Sequence, residues 1–418
     1  MTGPYVPFGE EEFGDRRTRV RQQMSARKID LLYVCMPESM YYLHGDQGYW
    51  YQGTAGKMWA PTSGTAVHVD HDKLIHFERR GDASRLHNFS VISDVRPFPA
   101  DSISFQPRAD YGQADLVKDR VQFVVDELRA EGWLPGTVGL EYWGYRPPRA
   151  VSDLLEAAFT AAGCTVVDGS DVLRDVRNIK SPAEIACLEE ATRIADESIL
   201  AMREIIRPGM TELELFGEMI RAMTARGGEM PALVDWAQAG PSKGGHTVST
   251  RRPIQRGDMV SLDVCAVYKR YHSNVVRPFY LGDPPAEHVE GMKVSAGAYD
   301  VLCGVAKDGV PIGEVNKALR EYYADAGVDL TPAPEAANFS GWRPWIGGYE
   351  MGASFPPDWV GNFFFSIHHL DPPGAFATNM VTNFESMVPH ASTIDTIVYG
   401  ADSSRRLSSL PVETIVLD

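Results

Sequence analysis

The stretch 257–282, GDMVSLDVCAVYKRYHSNVVRPFYLG, decides how the rest of the chain is read. It predicts a β-hairpin. Met259 to Val264 forms one strand, with Val260 and Leu262 on one face and Ser261 and Asp263 on the other. Val275 to Leu281, rich in β-branched and aromatic residues, forms the second, and Lys269 to Asn274 fills the turn. Asp263 puts a carboxylate in mid-strand. On an edge strand it simply faces water; among apolar neighbours it needs a partner or a chemical task.

Upstream, the run GPSKGGHTVSTRRP (240–253) carries His246 a short distance before the hairpin. Further back, Ser181-Pro182-Ala183-Glu184 is a capping box with proline at the first helical position. Ile185, Leu188, Ala191, Ile194, Ala195, Ile199 and Met202 then recur at helical spacing. Arg207-Pro208-Gly209 ends that helix, and a second box, Thr211 with Glu214, opens another through Arg226.

The first part of the chain alternates helical and strand-like patterns. Phe13–Lys28 predicts a basic amphipathic helix, its arginines on a solvated face. Strands are expected over 30–36, 65–70, 73–77, 91–95 and 137–142, and helices over 116–130 and 150–162. This pattern gives an α/β domain over residues 1–168, followed by a second domain over 169–418. Between Tyr41 and Trp59 lies YYLHGDQGYWYQGTAGKMW, read as an aromatic loop that is self-packed or serves as a lid or subunit contact.

At 418 residues the chain has room for two domains, and 44% hydrophobic with 23% charged residues is ordinary for a globular protein. A net charge of −16 argues against nucleic acid as a partner. Five scattered cysteines read as reduced thiols, the opening residues lack a signal-peptide pattern, and no apolar run approaches a membrane span. A cytoplasmic protein is expected.

The hairpin resembles the signature of the creatinase/aminopeptidase, or pita-bread, superfamily. In its metallopeptidases an Asp is followed eleven residues on by a second Asp in a Tyr-x-Ser-Asp-x-x-Arg run; here the matching residues are Asp263, Tyr271, Ser273, Asn274 and Arg277. The join between domains, RNIKSPAEI followed by RPGMTELEL, is similar too. Five positions hold metals in those peptidases. By resemblance they fall on Asp263, Asn274, Tyr349, Glu385 and Glu413, and a further His falls on Pro356. Amide and phenol replace two ligands, so the resemblance implies no metal and no other cofactor. His246 matches the substrate-side His that creatinase, a metal-free member, uses as a proton shuttle.

A narrower likeness is to the ectoine hydrolases, carried by YKRYH (268–272), Arg277, FYLG (279–282) and GYEMGASFPPDW (348–359). Those enzymes open a cyclic amidine without metal, using a Glu nucleophile where this chain has Asp263. They have the Tyr and the Pro-Pro-Asp-Trp, but an apolar residue where this chain keeps Glu385. Asp263 is one methylene shorter, which moves a nucleophile by roughly 1.5 Å.

The resemblance implies an N-terminal creatinase-like α/β domain, a C-terminal pita-bread catalytic domain and a metal-independent cyclic-amidine hydrolase. Asp263 is expected as nucleophile, with Glu413 and Glu385 orienting water or substrate and His246 moving protons. Mutual repulsion among the three carboxylates is expected to raise at least one pKa. The substrate is expected to be a small zwitterion. Trp50, Tyr349 and Trp359 would stack on its amidinium, and Asn274 would line the site. Arg277, His272 or Lys269 would take its carboxylate, with Arg277 alternatively a structural pair for Asn274 or Glu413. A homodimer is expected, with Tyr49–Tyr51 closing over the partner's site. The alternatives are a creatinase-like amidinohydrolase, a metal-dependent Xaa-Pro peptidase and a non-catalytic binding module.

Overall fold

A computed structural model describes residues 5–47, 62–99, 113–232, 236–240, 248–330, 344–358 and 361–418. These divide into two compact units, Met1–Arg177 with Phe355–Asp358, and Asn178–Ser354 with Trp359–Asp418.

The first unit is built on six strands: β1 (Leu31–Val34), β2 (Gly64–His68), β3 (Leu74–Glu78), β4 (Asp94–Pro97), β5 (Thr137–Leu140) and β6 (Thr165–Asp168). They lie in the order β4-β3-β2-β1-β5-β6, with β1 antiparallel to β2 and parallel to β5. The run LLYV of β1 is apolar throughout because both faces are covered. Leu31 and Tyr33 enter a core with Val117, Val121, Val124, Val125 and Leu128 of the helix Gln113–Ala130. Leu32 and Val34 enter another with Val20 and Met24 of the helix Glu10–Ala26.

Three readings of this region change. The unit extends nine residues past the expected boundary at 168, because the helix Ser170–Asn178 buries Val172, Leu173 and Val176 in its core. The basic helix does not present all its arginines to solvent. Arg16 is fully buried, its guanidinium 4.3 Å from the ring centre of Phe8 and 4.7 Å from that of Tyr42. The aromatic segment begins as a buried helix, Pro37–His44, rather than a loop, and residues 48–59 of it lie outside the described residues.

The second unit holds β7 (Trp236–Gly240), β8 (Met259–Val264), β9 (Val267–Tyr268), β10 (Tyr271–His272), β11 (Val275–Leu281), β12 (Trp345–Tyr349), β13 (Phe364–Ser366), β14 (Val381–Val388), β15 (Ala391–Val398), β16 (Arg405–Arg406) and β17 (Ile415–Leu417). Seven strands run in the order β13-β12-β14-β15-β11-β8-β7, with β16 on β15 and β17 on β11. Both expected capping boxes are present and start the helices Pro182–Met202 and Glu212–Ala225. Those helices bury their apolar stripes on β7, β8 and β11. A second pair, Ala286–Val305 and Ile312–Asp325, covers β12 to β15.

The expected hairpin is β8 against β11, antiparallel, with Val264 opposite Val275 and Asp263 opposite Val276. Its turn is itself a small ribbon, β9 with β10, whose two-residue tip puts Lys269 and Arg270 at φ 47° and 63°. Paired positive φ values suit the right-handed twist of a tight hairpin. The Arg270 side chain holds the tip down through the carbonyls of Ser354 and Met230. Tyr271 donates to Glu184 at 2.9 Å, so the first capping box also anchors the hairpin.

Candidate active site

Alternation along the strands sorts polar from apolar. On β8, Val260, Leu262 and Val264 enter the helix-covered core, and Asp263 points off that face. On β14, Phe384 enters the other core, while Asn383 and Glu385 alternate away from it. Val260, Leu262 and Phe384 are fully buried, each worth ~1.5–3 kcal/mol. A one-residue slip would swap those side chains for carboxylates and an amide, so the register is strongly fixed. Asp263 is 2% exposed on a strand paired on both sides, by β7 and β11, so it does not face water from an edge.

Asn274 stands just before β11. Thr396 of β15 clamps its backbone, accepting from its N–H at 2.9 Å and donating to its carbonyl at 3.2 Å. The side chain then donates from Nδ2 to Asp263 Oδ1 at 2.7 Å and to Cys265 Sγ at 3.2 Å. Tyr349 ends β12, which lies between β13 and β14. Gly347 and Gly348 permit that placement: a Cβ on Gly348 would sit 2.0 Å from the Asn383 carbonyl oxygen. Glu350, paired with Lys180 and accepting from the Asn362 N–H at 2.7 Å, fixes the chain just past β12. From there Tyr349 donates its phenol hydrogen to Glu385 Oε1 at 2.6 Å.

Asn383 joins the two halves. Its Nδ2 lies 3.2 Å from Asn274 Oδ1 and 2.9 Å from Glu385 Oε1, and its Oδ1 accepts from the Tyr349 N–H at 2.9 Å. Sequence reading passed over it, although an amide between apolar residues on a buried strand, two positions before Glu385, is the available signal. Burial raises the Tyr349 pKa well above the usual phenol value, and the charge of Glu385, its hydrogen bond and the charge of Asp263 raise it further.

The structure thus brings Asp263, Asn274, Tyr349 and Glu385 into one network. Glu413 is exposed ahead of β17 and has no hydrogen-bond partner among the described residues. His246, Trp50 and Trp359 lie outside the described residues. Two expected substrate contacts are corrected. Arg277 is buried and pairs with Asp395 at 2.7 Å; its Nε goes to the Pro411 carbonyl and its Nη1 to those of Val276 and Ile394. With Leu410 also accepting from Nη2, its donors are committed within the fold, and its pair is neither Asn274 nor Glu413. His272 is fully buried, with Nε2 accepting from the Ala232 N–H and Nδ1 donating to the Arg270 carbonyl. Burial, and next the Arg270 charge, lower its pKa to about 3. It is a neutral structural imidazole.

The donor set does not fit the metal centre that the fold implies. At two of the five positions, hydrogen-bond donors face the carboxylates, amide N–H on Asp263 and phenol O–H on Glu385. Among the described residues, three potential ligands converge only in the first unit, at Asp46, His76 and Glu78. There the Arg85 guanidinium bonds Asp46 and lies 3.9 Å from Glu78, so the cluster already has its cation.

The fold and site define a creatinase-type N-terminal domain followed by a pita-bread domain. Residues 16–179 match the creatinase/prolidase N-terminal domain model and residues 186–393 that of metallopeptidase family M24, and the chain belongs to this creatinase/aminopeptidase superfamily. It is 27% identical to an ectoine hydrolase from Halomonas elongata over 370 residues, covering 85% of this chain and 84% of that one. It is 33% identical to a Xaa-Pro dipeptidase from Pyrococcus horikoshii over 158 residues, 38% of this chain and 45% of that one. Among solved structures, a dipeptidase from Pyrococcus horikoshii superposes with TM-score 0.74 at 19% identity, covering 96% of this chain and 100% of that one. The dipeptidase PepE from Mycobacterium ulcerans gives 0.73 at 19%, covering 98% and 99%. No helix among the described residues is long and apolar enough to cross a membrane.

Proposed function

We propose that the protein is a metal-independent hydrolase that opens a small cyclic amidine, ectoine or a near analogue, through a carboxylate nucleophile. The observation that carries this reading is the replacement of metal ligands by donors. Asn274 and Tyr349 supply hydrogens to Asp263 and Glu385 where the peptidases place a cation. Similarity to an ectoine hydrolase over most of both chains supports the choice of substrate.

In this reading the amidinium carbon is the electrophile, and its positive charge suits a site lined by carboxylates. Asp263 attacks that carbon, forming a C–O bond. One C–N bond breaks, and its nitrogen leaves with a proton. Water then displaces the carboxylate, leaving an amide and an amine. Glu385, held by Tyr349 and Asn383, orients the water or takes its proton. His246 moves protons on the substrate side, Asn274 lines the site, and Tyr349 offers its ring to the flat cation. The protein works as a homodimer, with Tyr49–Tyr51 reaching the partner's site, and five cysteines outside any disulfide suit a cytoplasmic setting.

Incubation with ectoine, followed by mass spectrometry, is expected to give an N-acetylated diamino acid. Asp263→Asn is expected to bind ectoine without turnover. If ectoine and hydroxyectoine are untouched while creatine is cleaved, a creatinase-like amidinohydrolase replaces this reading. The 33% identity to a dipeptidase favours a second reading, a metal-dependent Xaa-Pro peptidase, which requires activity on Xaa-Pro dipeptides that a chelator abolishes.

A further inference from the structure

We infer that Asn383 is a positioning residue that sets the direction of a hydrogen-bond relay between the two site carboxylates; the inference deepens the reading of Asp263 as nucleophile and Glu385 as its partner. The direction follows from one donor that cannot reverse. A backbone N–H only donates, so Asn383 Oδ1, 2.9 Å from the Tyr349 nitrogen, accepts. That orients the amide without ambiguity and leaves Nδ2 with two hydrogens to give. One goes to Glu385 Oε1 and the other to Asn274 Oδ1. Asn274 Oδ1 is then an acceptor, and its own Nδ2 donates to Asp263 Oδ1 at 2.7 Å.

The chain of bonds runs one way, from the Tyr349 backbone through two amides to Asp263, with a branch to Glu385. The phenol of Tyr349 joins the branch, donating to the same Glu385 oxygen. Asp263 Oδ1 and Glu385 Oε1 therefore each receive hydrogens and carry none. Both carboxylates are 2% exposed or less, and each charge would be costly without donors. Neutral dipoles of fixed orientation do here what a cation does in a metal site, and they hold Asp263 ready to attack. Asn383 is the branch point: an acceptor on one side and two donors on the other. Asp in its place keeps the shape and the acceptor but loses both hydrogens. Leu loses all three interactions.

The test compares the full-length wild type with Asn383→Asp and Asn383→Leu in two assays. With ectoine as substrate, Asn383→Asp is expected to lower kcat at pH 7.5 about 10–100-fold with KM changed less than about threefold. The acid limb of its kcat profile should move up by about one pH unit. Without substrate, the denaturation midpoint of Asn383→Asp should fall further below wild type as pH rises from 5 to 8, while that of Asn383→Leu should converge on wild type as pH falls. If both deficits are constant across that range and the kcat profile keeps its shape, Asn383 is only a structural support and the relay is overturned. If the wild type leaves ectoine untouched, the functional reading fails, and the substrate-free assay still decides the relay.

Discussion

Tyr349→Phe removes one oxygen and little else. The lost atom is the donor of a 2.6 Å bond to Glu385 Oε1, a charge-assisted bond largely shielded from water. Such bonds contribute ~1.5–3 kcal/mol, and if the bond acts in the rate-limiting step the loss in kcat is about 10–150-fold. The pKa of Tyr349 is raised, first by burial and then by the charge of Glu385. The group therefore stays a phenol, and a donor, throughout the pH range of an ordinary assay. The ratio of wild-type to variant kcat should accordingly be flat from pH 6 to 9. Initial rates on ectoine across that range, with thermal melts to confirm folding, measure it. A variant with unchanged kcat, or a ratio that collapses near pH 9, would refute the idea that the phenol works as a fixed donor.

Two buried groups, His272 and Glu38, carry opposite pH signatures. His272 has its pKa lowered to about 3 by burial and then by Arg270, so its contribution is present above the unfolded value and lost as pH falls toward 3. Between pH 7.5 and 5 the loss is ~2 kcal/mol, read as the difference in denaturant stability between wild type and His272→Gln; equal pH dependence in both contradicts it. Glu38 has its pKa raised to about 7 by burial, partly offset by Arg177, so its contribution falls as pH climbs from about 4.5 to about 7. Glu38→Gln should therefore remove up to ~3 kcal/mol of destabilisation at pH 8 and nothing at pH 4, measured by denaturant unfolding of the variant and the wild type at both pH values. Light scattering at working concentration is expected to give twice the chain mass, and a monomer would contradict the dimer.

The layers of the fold were legible because local signals agreed. Two capping boxes, a proline at the start of a helix and period-2 strands each named their element, and the structure keeps them. Asp263 stood out as a carboxylate on an apolar strand, and Asn274 and Tyr349 as replacements within a motif. What the sequence hid was tertiary pairing. Nothing local tells Arg277 that its partner is Asp395, 118 residues away, rather than a substrate. Thr396, which clamps Asn274 from 122 residues away, carried no signal at all. His272 sits in a motif beside the site, yet two backbone groups take both its nitrogens. The buried Arg16 and the helix at Pro37–His44 were missed for a similar reason: aromatic neighbours brought together by folding outweigh local polarity.

Metal independence is tested by activity on ectoine after metals are stripped with a chelator and quantified by elemental analysis. Full turnover is expected at a metal content far below one per chain, unchanged when zinc, manganese or iron is returned. Activity that disappears with the metal and returns in proportion to it would contradict the reading of Asn274 and Tyr349 as donors that have taken the cation's place.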